Sequence, residues 1–364
     1  MRLIRLSSSY ITRIVEGLEP WPAPALADCA LALGSFDGLH LGHQALIRAA
    51  AAAAREKGLA HSCLFTFRDH PRRVLDADQP QLLSSWREKL SLLRETSIDA
   101  VVAADFCPAL ARLGYEDFVS RFLVDFLGMR HMVGGHDVHL GADRGGTSET
   151  LPALGRELGF GFTVVDAVSL PGGGVISSSA VRSLLREGDV ARAGAMLGRP
   201  YSLWGEVGYG SGKGAKLGYP TANIEPLDTA KMLPAPGVYA VRVHLPGDVI
   251  TDENRPGQLS SERGKLPEVD RWGDPLGVSG TARGVYAGML NHGWAPTIHE
   301  GGLPTPRLEV HILDFSGYIR ERSLKIEWIA RLRDEMTFGS VDALREQLRA
   351  DEQDVRRVLQ VPGP

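Results

Sequence analysis

The chain has 364 residues, long enough for two domains of ordinary size that each bury a core of their own. Lys plus Arg (40) against Asp plus Glu (44) leaves a formal net charge of -4 with both signs interspersed. That balance argues against a nucleic-acid partner and leaves small anionic ligands open, since these need only a local site. Three cysteines without a Cys-x-x-Cys pair, no apolar signal core before Gly17 and no run as long as a membrane span predict free thiols in a reducing, cytoplasmic setting with no membrane partner.

Residues 30–33 form an apolar run expected as a buried strand. It ends in Gly34, passes an Asp37-Gly38 turn and enters an Ala-rich helix over Leu41–Glu56. Free N–H groups and the positive end of the helix dipole converge where such a helix begins, so Gly34, Phe36, Asp37 and Gly38 lie where a phosphate is well received. His40 and His43 are three apart, which puts both imidazoles on one face and lets both donate to the same phosphate chain. Capping or plain packing is the alternative use of either histidine. A metal is disfavoured, because two ligands without a nearby Cys or Glu are too few for zinc.

The pattern then repeats. His61–Phe67 reads as a strand, 86–95 as a helix, 100–106 as a strand, 115–127 as a helix, 132–133 as a short strand, 148–158 as a helix and 162–168 as a strand. Strands alternating with helices predict an α/β unit whose parallel sheet is covered on both faces, with ligands beyond the strand C-termini, where 34–43 falls. After the glycine run 172–174, Ile176-Ser-Ser-Ser-Ala-Val-Arg182 reads as a second helix start. Ser178 there is either an N-cap or a phosphate donor, and Arg182, one turn on, offers a planar fork of donors.

From Tyr201 the texture changes. Short β-rich runs at 203–207, 238–245, 284–290 and 308–315 are set off by Gly or Pro and predict an antiparallel sheet or small barrel, with the boundary near 188–198. Gly208-Tyr-Gly-Ser-Gly-Lys-Gly214 departs from Gly-x-x-x-x-Gly-Lys-Ser/Thr, because Val207 replaces the first glycine and Gly214 the hydroxyl residue. The loop through Gly210, Gly212, Lys213 and Gly214 remains a candidate phosphate wrap. In the extended stretch that follows, Thr221 and Asn223 point to one side and offer hard oxygens suited to Mg²⁺, although a plain turn accounts for them equally. In 308–315 the alternation sets Glu309 and His311 opposite Leu308, Val310 and Ile312. Glu309 is then either an exposed strand carboxylate or the base that takes a proton from an attacking hydroxyl. Residues 246–283, rich in Gly, Pro and charge with one apolar patch around Trp272, read as a flap or a disordered insertion. Ser340 caps a closing helix with Val341, Leu344, Leu348, Val355 and Leu359 at helical spacing.

Together these motifs resemble the prokaryotic bifunctional riboflavin kinase/FAD synthetase family over nearly the whole chain. Gly34 to His43 is similar to its nucleotidyltransferase His-x-Gly-His element, Ile176 to Arg182 to its Ile-Ser-Ser-Thr-x-x-Arg element, and Gly218-Tyr-Pro-Thr-Ala-Asn223 followed by Glu309-Val-His311 to its flavokinase signature. The resemblance implies a Rossmann-like adenylyltransferase module over 1–188 and a flavokinase β-barrel with a terminal helix over 189–364. It implies that riboflavin is phosphorylated by ATP to FMN with Glu309 as base and Thr221 and Asn223 on Mg²⁺. FMN is then adenylylated to FAD with His40, His43, Ser178 and Arg182 stabilising charge. Asp137 and Arg144 would contact ligand in the first module and Asn291 in the second. Flavin-dependent apoenzymes are the implied acceptors of FAD. Val138 and Leu140 stand where the family shows aromatics, and Ala295 where it shows Arg. Two other readings stay open: a chain in which only one module turns over, and a flavin- or nucleotide-binding protein without chemistry.

Overall fold

Every residue of strand β2 (Cys29–Leu33, Cys-Ala-Leu-Ala-Leu) is apolar, and it therefore lies in the middle of a sheet covered on both faces. In the computed structural model, which describes residues 1–362 apart from 20–24, 27, 70, 72–79, 210–213, 246–283 and 295–305, the chain packs as two units, Met1–Ser178 and Ser179–Pro364. Gly210, Gly212, Lys213, Ala295 and the 246–283 insertion with Trp272 lie outside the described residues.

In the first unit β2 pairs in parallel with β3 (His61–Phe67) and β5 (Met129–Gly135). Beyond β3 come β4 (Ala100–Ala104) and β1 (Arg2–Leu6), and beyond β5 comes β6 (Gly161–Val165), giving the order β1-β4-β3-β2-β5-β6. The chain winds outward from β2 in one direction and restarts at β5 in the other. A crevice therefore opens at the C-terminal ends of β2 and β5. Among the described residues the α-helices of this unit are α1 (Ser8–Val15), α2 (Leu41–Glu56), α3 (Trp86–Arg94), α4 (Pro108–Ala111), α5 (Tyr115–Asp117) and α6 (Leu151–Leu158). One sheet face carries Leu31, Cys63, Phe65 and Val102 into a core with Phe118 and Phe122, and the other carries Ala32, Leu64 and Val101 against Ile47 and Ala50 of α2 and Leu93 of α3.

The expected α-helix over 115–127 takes another form. After one turn of α5 the backbone continues as a π-helix, Phe118–Phe126. Its wider i→i+5 turn suits rings four residues apart: Phe118, Phe122 and Phe126 follow one another with centroids 5.7 and 5.5 Å apart, and Phe65 meets Phe122 at 5.8 Å. Packing of large rings has overridden the default helix. The strand expected at 132–133 extends over all of β5, and the helix expected from 148 begins at Leu151, with Pro152 in its first turn.

Helix α7 (Ser178–Glu187) begins at the border of the two units, and α8 (Val190–Leu197) packs on the barrel strands β12 and β7. The second unit is a closed antiparallel barrel of β7 (Tyr201–Gly208), β8 (Ala222–Pro226), β9 (Gly237–Leu245), β10 (Gly284–Trp294), β11 (Pro306–Ile312) and β12 (Ser323–Arg333), in the order β10-β11-β8-β7-β12-β9. Val241, Val243 and Val310 converge on Gly288, where any Cβ would meet their methyls at 3.0–3.1 Å. Val238, Ala240 and Met289 instead pack against Val355 of α9 (Val341–Leu359), whose N-terminus is capped by Ser340 Oγ accepting from the Ala343 N–H at 3.1 Å.

On another strip of the barrel Glu327 lies 3.0 Å from His244 Nε2 and 2.8 Å from Lys325 Nζ. Burial would raise its carboxyl, but these two partners outweigh burial and hold it at about 2, below its ordinary 4.5. Because the folded value is depressed, the stabilisation is complete above about pH 4.5 and drains away as pH falls toward 2, an effect on the order of 3 kcal/mol. Glu327→Gln should therefore flatten the acid limb of a urea-midpoint titration, and an unchanged limb would show that this triad contributes nothing.

Candidate active sites

The stretch between β2 and α2 is an unusual piece of backbone. Phe36 (φ 49°) and Leu39 (φ 44°) both adopt left-handed conformations without being glycine, on either side of Gly38 (φ 79°). Such residues persist only where the surroundings over-determine them. Here the determinant is Asp37, 2% exposed, whose carboxylate accepts from Leu83 N–H (3.0 Å to each oxygen), from Ser84 N–H at 3.0 Å and from Ser84 Oγ at 3.3 Å. Ser84 Oγ in turn accepts from the Gly38 N–H at 3.0 Å. Asp37 thus braces the turn from below. The Phe36 ring is buried in the core under Gly34 and tilts against His43 at 5.1 Å.

His40 is the N-cap of α2: its Nδ1 accepts from the His43 N–H at 3.3 Å, and its ring stacks on that of His43, 3.6 Å between centroids and 16° apart. With Nδ1 occupied as acceptor, the proton of a neutral His40 sits on Nε2, so the cap also fixes the tautomer. Gly42 leaves room for this ring, since a Cβ there would meet His40 at 3.1 Å. The capping use of His40 and the shared face of the two histidines hold together. Ser178 opens α7 and donates from Oγ to the Asp37 carbonyl at 3.0 Å, tying the turn down a third way, while Arg182 follows one turn later and is largely buried.

Asp137 and Arg144 sit on an exposed turn after β5, Arg144 at φ 55° with its N–H donated to the Gly141 carbonyl at 3.1 Å. Leu140 is 5% exposed and belongs to the core on that face of the sheet, with Val138 packed against it. These two side chains are committed to packing. Ser84 carries no sequence signal of its own; only the approach of 82–84 to Asp37 reveals its part.

In the barrel the strand register assembles the second site. Glu309 lies directly opposite Asn223 on one neighbouring strand and Asn291 on the other, placing a carboxylate between two amides on the barrel's outer face. Glu309, Asn291 and Thr221 line one cavity with Gly214. Gly214 fits closely: a Cβ there would meet the Tyr219 carbonyl at 2.4 Å and Thr221 Oγ1 at 3.3 Å. The cavity's apolar wall is Val238 and Met289 from the barrel, Met336 and Phe338 from the connection, and Leu344 and Leu348 from α9.

Its polar floor is braced. Arg333 grips Asp351 of α9 through Nε (2.9 Å) and Nη2 (2.6 Å), and Gln347 adds a bond to Asp351 at 2.8 Å. Tyr219 OH donates to Glu352 at 3.1 Å, and burial together with that bond raises the phenol. His311, from the same strand face as Glu309, donates Nδ1–H to the Pro220 carbonyl at 2.8 Å, which fixes the turn ahead of Thr221. Among the described residues no group of three or more His, Cys, Asp or Glu could hold a metal.

A family model described as FAD synthetase matches residues 23–180, and one described as riboflavin kinase matches residues 197–359. The bifunctional riboflavin kinase/FMN adenylyltransferase of Bacillus subtilis is 31% identical over 91% of this chain and 92% of its own. This chain belongs to that family. The Escherichia coli K12 member is 30% identical over 97% of this chain and 99% of its own. A crystal structure described as a macrolide-efflux protein from Streptococcus pneumoniae superposes with a TM-score of 0.77 at 27% identity, covering 98% of this chain and 99% of that one. The efflux description concerns that protein. Among the described residues here no helix is long and apolar enough to cross a membrane.

Because His40 caps α2, His40→Ala should lose about 1 kcal/mol of stability, whereas His40→Asn keeps a capping side chain and should melt close to the parent protein. Calorimetry of both variants checks this, and equal melting of the two would mean that the cap contributes nothing.

Proposed function

We propose that the chain makes FAD from riboflavin in two ATP-dependent steps, phosphorylation in the barrel unit and adenylylation in the parallel-sheet unit, with module limits at 1–188 and 189–364. What supports the first step most directly is the row Asn223, Glu309, Asn291, of which Glu309 and Asn291 line a cavity with an apolar wall.

The flavin ring occupies the apolar part of that cavity, leaving its ribityl chain at Glu309. Glu309 takes the proton of the terminal hydroxyl as its oxygen bonds to the γ-phosphorus of ATP, the bond to the β-phosphate oxygen breaks, and FMN and ADP result. The Thr221 hydroxyl and the Asn223 amide oxygen would hold Mg²⁺ as hard donors, and the ion would supply charge neutralisation at the transferred phosphoryl group. Gly214, with Gly210, Gly212 and Lys213 before it in the sequence, wraps the phosphates, and Asn291 fixes the ribityl end.

In the sheet unit an oxygen of the FMN phosphate attacks the α-phosphorus of a second ATP and pyrophosphate leaves. The α2 N-terminus with Gly34 and Gly38 receives the phosphate chain, His40 and His43 donate to it, and Ser178 and Arg182, one turn apart, add to the stabilisation. The Asp37 carboxylate and the Phe36 ring shape the turn, whose main chain receives the nucleotide. Asp137 and Arg144, on the exposed turn after β5, contact the bound ligand. The work is positioning and electrostatics in both steps. We place both reactions in the cytoplasm, with flavin-dependent apoenzymes receiving the FAD.

Glu309→Ala should form no FMN from riboflavin yet convert supplied FMN to FAD at close to the parent rate, and His40→Asn should do the reverse. Mixing the two variants with riboflavin and ATP should restore FAD. Loss of both steps in folded Glu309→Ala would contradict the division of labour.

A further inference from the structure

Beneath the nucleotide turn one carbonyl receives two side-chain donors. The Ser35 oxygen accepts from Thr66 Oγ1 at 3.0 Å and from Lys89 Nζ at 2.8 Å, and Lys89 Nζ also donates to the Phe67 carbonyl at 3.3 Å. Thr66 is 0% and Lys89 5% exposed. Lys89 stands on the buried face of α3 beside Leu90 and Leu93, where a methionine would pack without loss of hydration. Burial pulls its ammonium down to about 8 against the opposing pull of Asp37 and Asp69. Keeping a lysine there is costly, and its two bonds go to neutral main-chain oxygens on either side of the strand ends.

Those bonds fix one peptide plane. A trans peptide points its carbonyl and the following N–H in opposite directions. The Ser35 carbonyl faces Thr66 on β3, so the Phe36 N–H faces away from β3, toward the β5 side of β2 where the crevice opens. Phe36 itself is left-handed, so this plane would turn readily if its carbonyl were released.

We propose that Thr66 and Lys89 are positioning residues for adenylyl transfer: together they clamp the Ser35–Phe36 peptide so that the Phe36 N–H is aimed at the ATP phosphates. The inference rests on the reading of this unit as the adenylylating one. Neither residue touches substrate; both act through the main chain.

The test uses the full chain with Lys89→Met and, as a second and nearly isosteric variant, Thr66→Val. FAD formation from FMN is measured with riboflavin phosphorylation on the same preparation as the internal reference. Hydrogen exchange of the Phe36 amide is followed with and without ATP. Each variant is expected to lower kcat for FAD formation roughly 10- to 100-fold with KM for FMN unchanged, to leave phosphorylation intact, and to lose the slowing of Phe36 exchange that ATP produces in the parent. A packing role alone would lower the melting temperature and leave that slowing in place. Folded variants with parental FAD formation, or a parent whose Phe36 amide ATP does not slow, would overturn the proposal. A parent that makes no FAD but shows the slowing, lost in both variants, would sink the adenylylation reading and keep the clamp.

Discussion

The buried Asp37 carboxylate is the contact on which the N-terminal site depends. The turn between β2 and α2 holds two non-glycine residues in left-handed conformations, which persist only where their surroundings fix them, and main-chain N–H groups receive an anion well only when they are fixed beforehand. Asp37 draws Leu83 and Ser84 under the turn, Ser84 holds the Gly38 N–H, and Ser178 holds the Asp37 carbonyl from above. Each bond is worth about 1 kcal/mol, but they share one rigid object, so the strain is spread over several anchors.

The barrel solves a different problem with the same economy. A closed antiparallel sheet has fixed register, so three polar side chains from three strands come into a row without any loop to order. Helix α9 then supplies the apolar wall, and the Arg333–Asp351 pair with Gln347 fastens it to β12 beside that wall.

Much of this was legible in the sequence. The Ala-rich run from Leu41 gave α2, the alternation around Glu309 gave its outward face, and Ser340 gave the last cap, because each obeys a local period or capping rule. Local rules fail where long-range contacts decide. β1 mixes arginine with aliphatics because it is an edge strand, and the π-helix answers to Phe65 across the core. β12 does alternate, Leu324, Ile326 and Trp328 against Lys325 and Glu327, yet only barrel closure shows its partners. Lys89 reads as one more charge on a helix; its carbonyl partners lie 22 and 54 residues away. That Leu140 belongs to the core, with Val138 packed against it, is not visible in the sequence.

The central claim, that one chain carries riboflavin through FMN to FAD, is tested most directly by incubating the intact protein with riboflavin, ATP and Mg²⁺ and resolving the flavins over time. FMN should rise first and then give way to FAD as pyrophosphate accumulates. Riboflavin that stays unchanged, together with FMN that stays unchanged when supplied directly, would contradict the account in both modules.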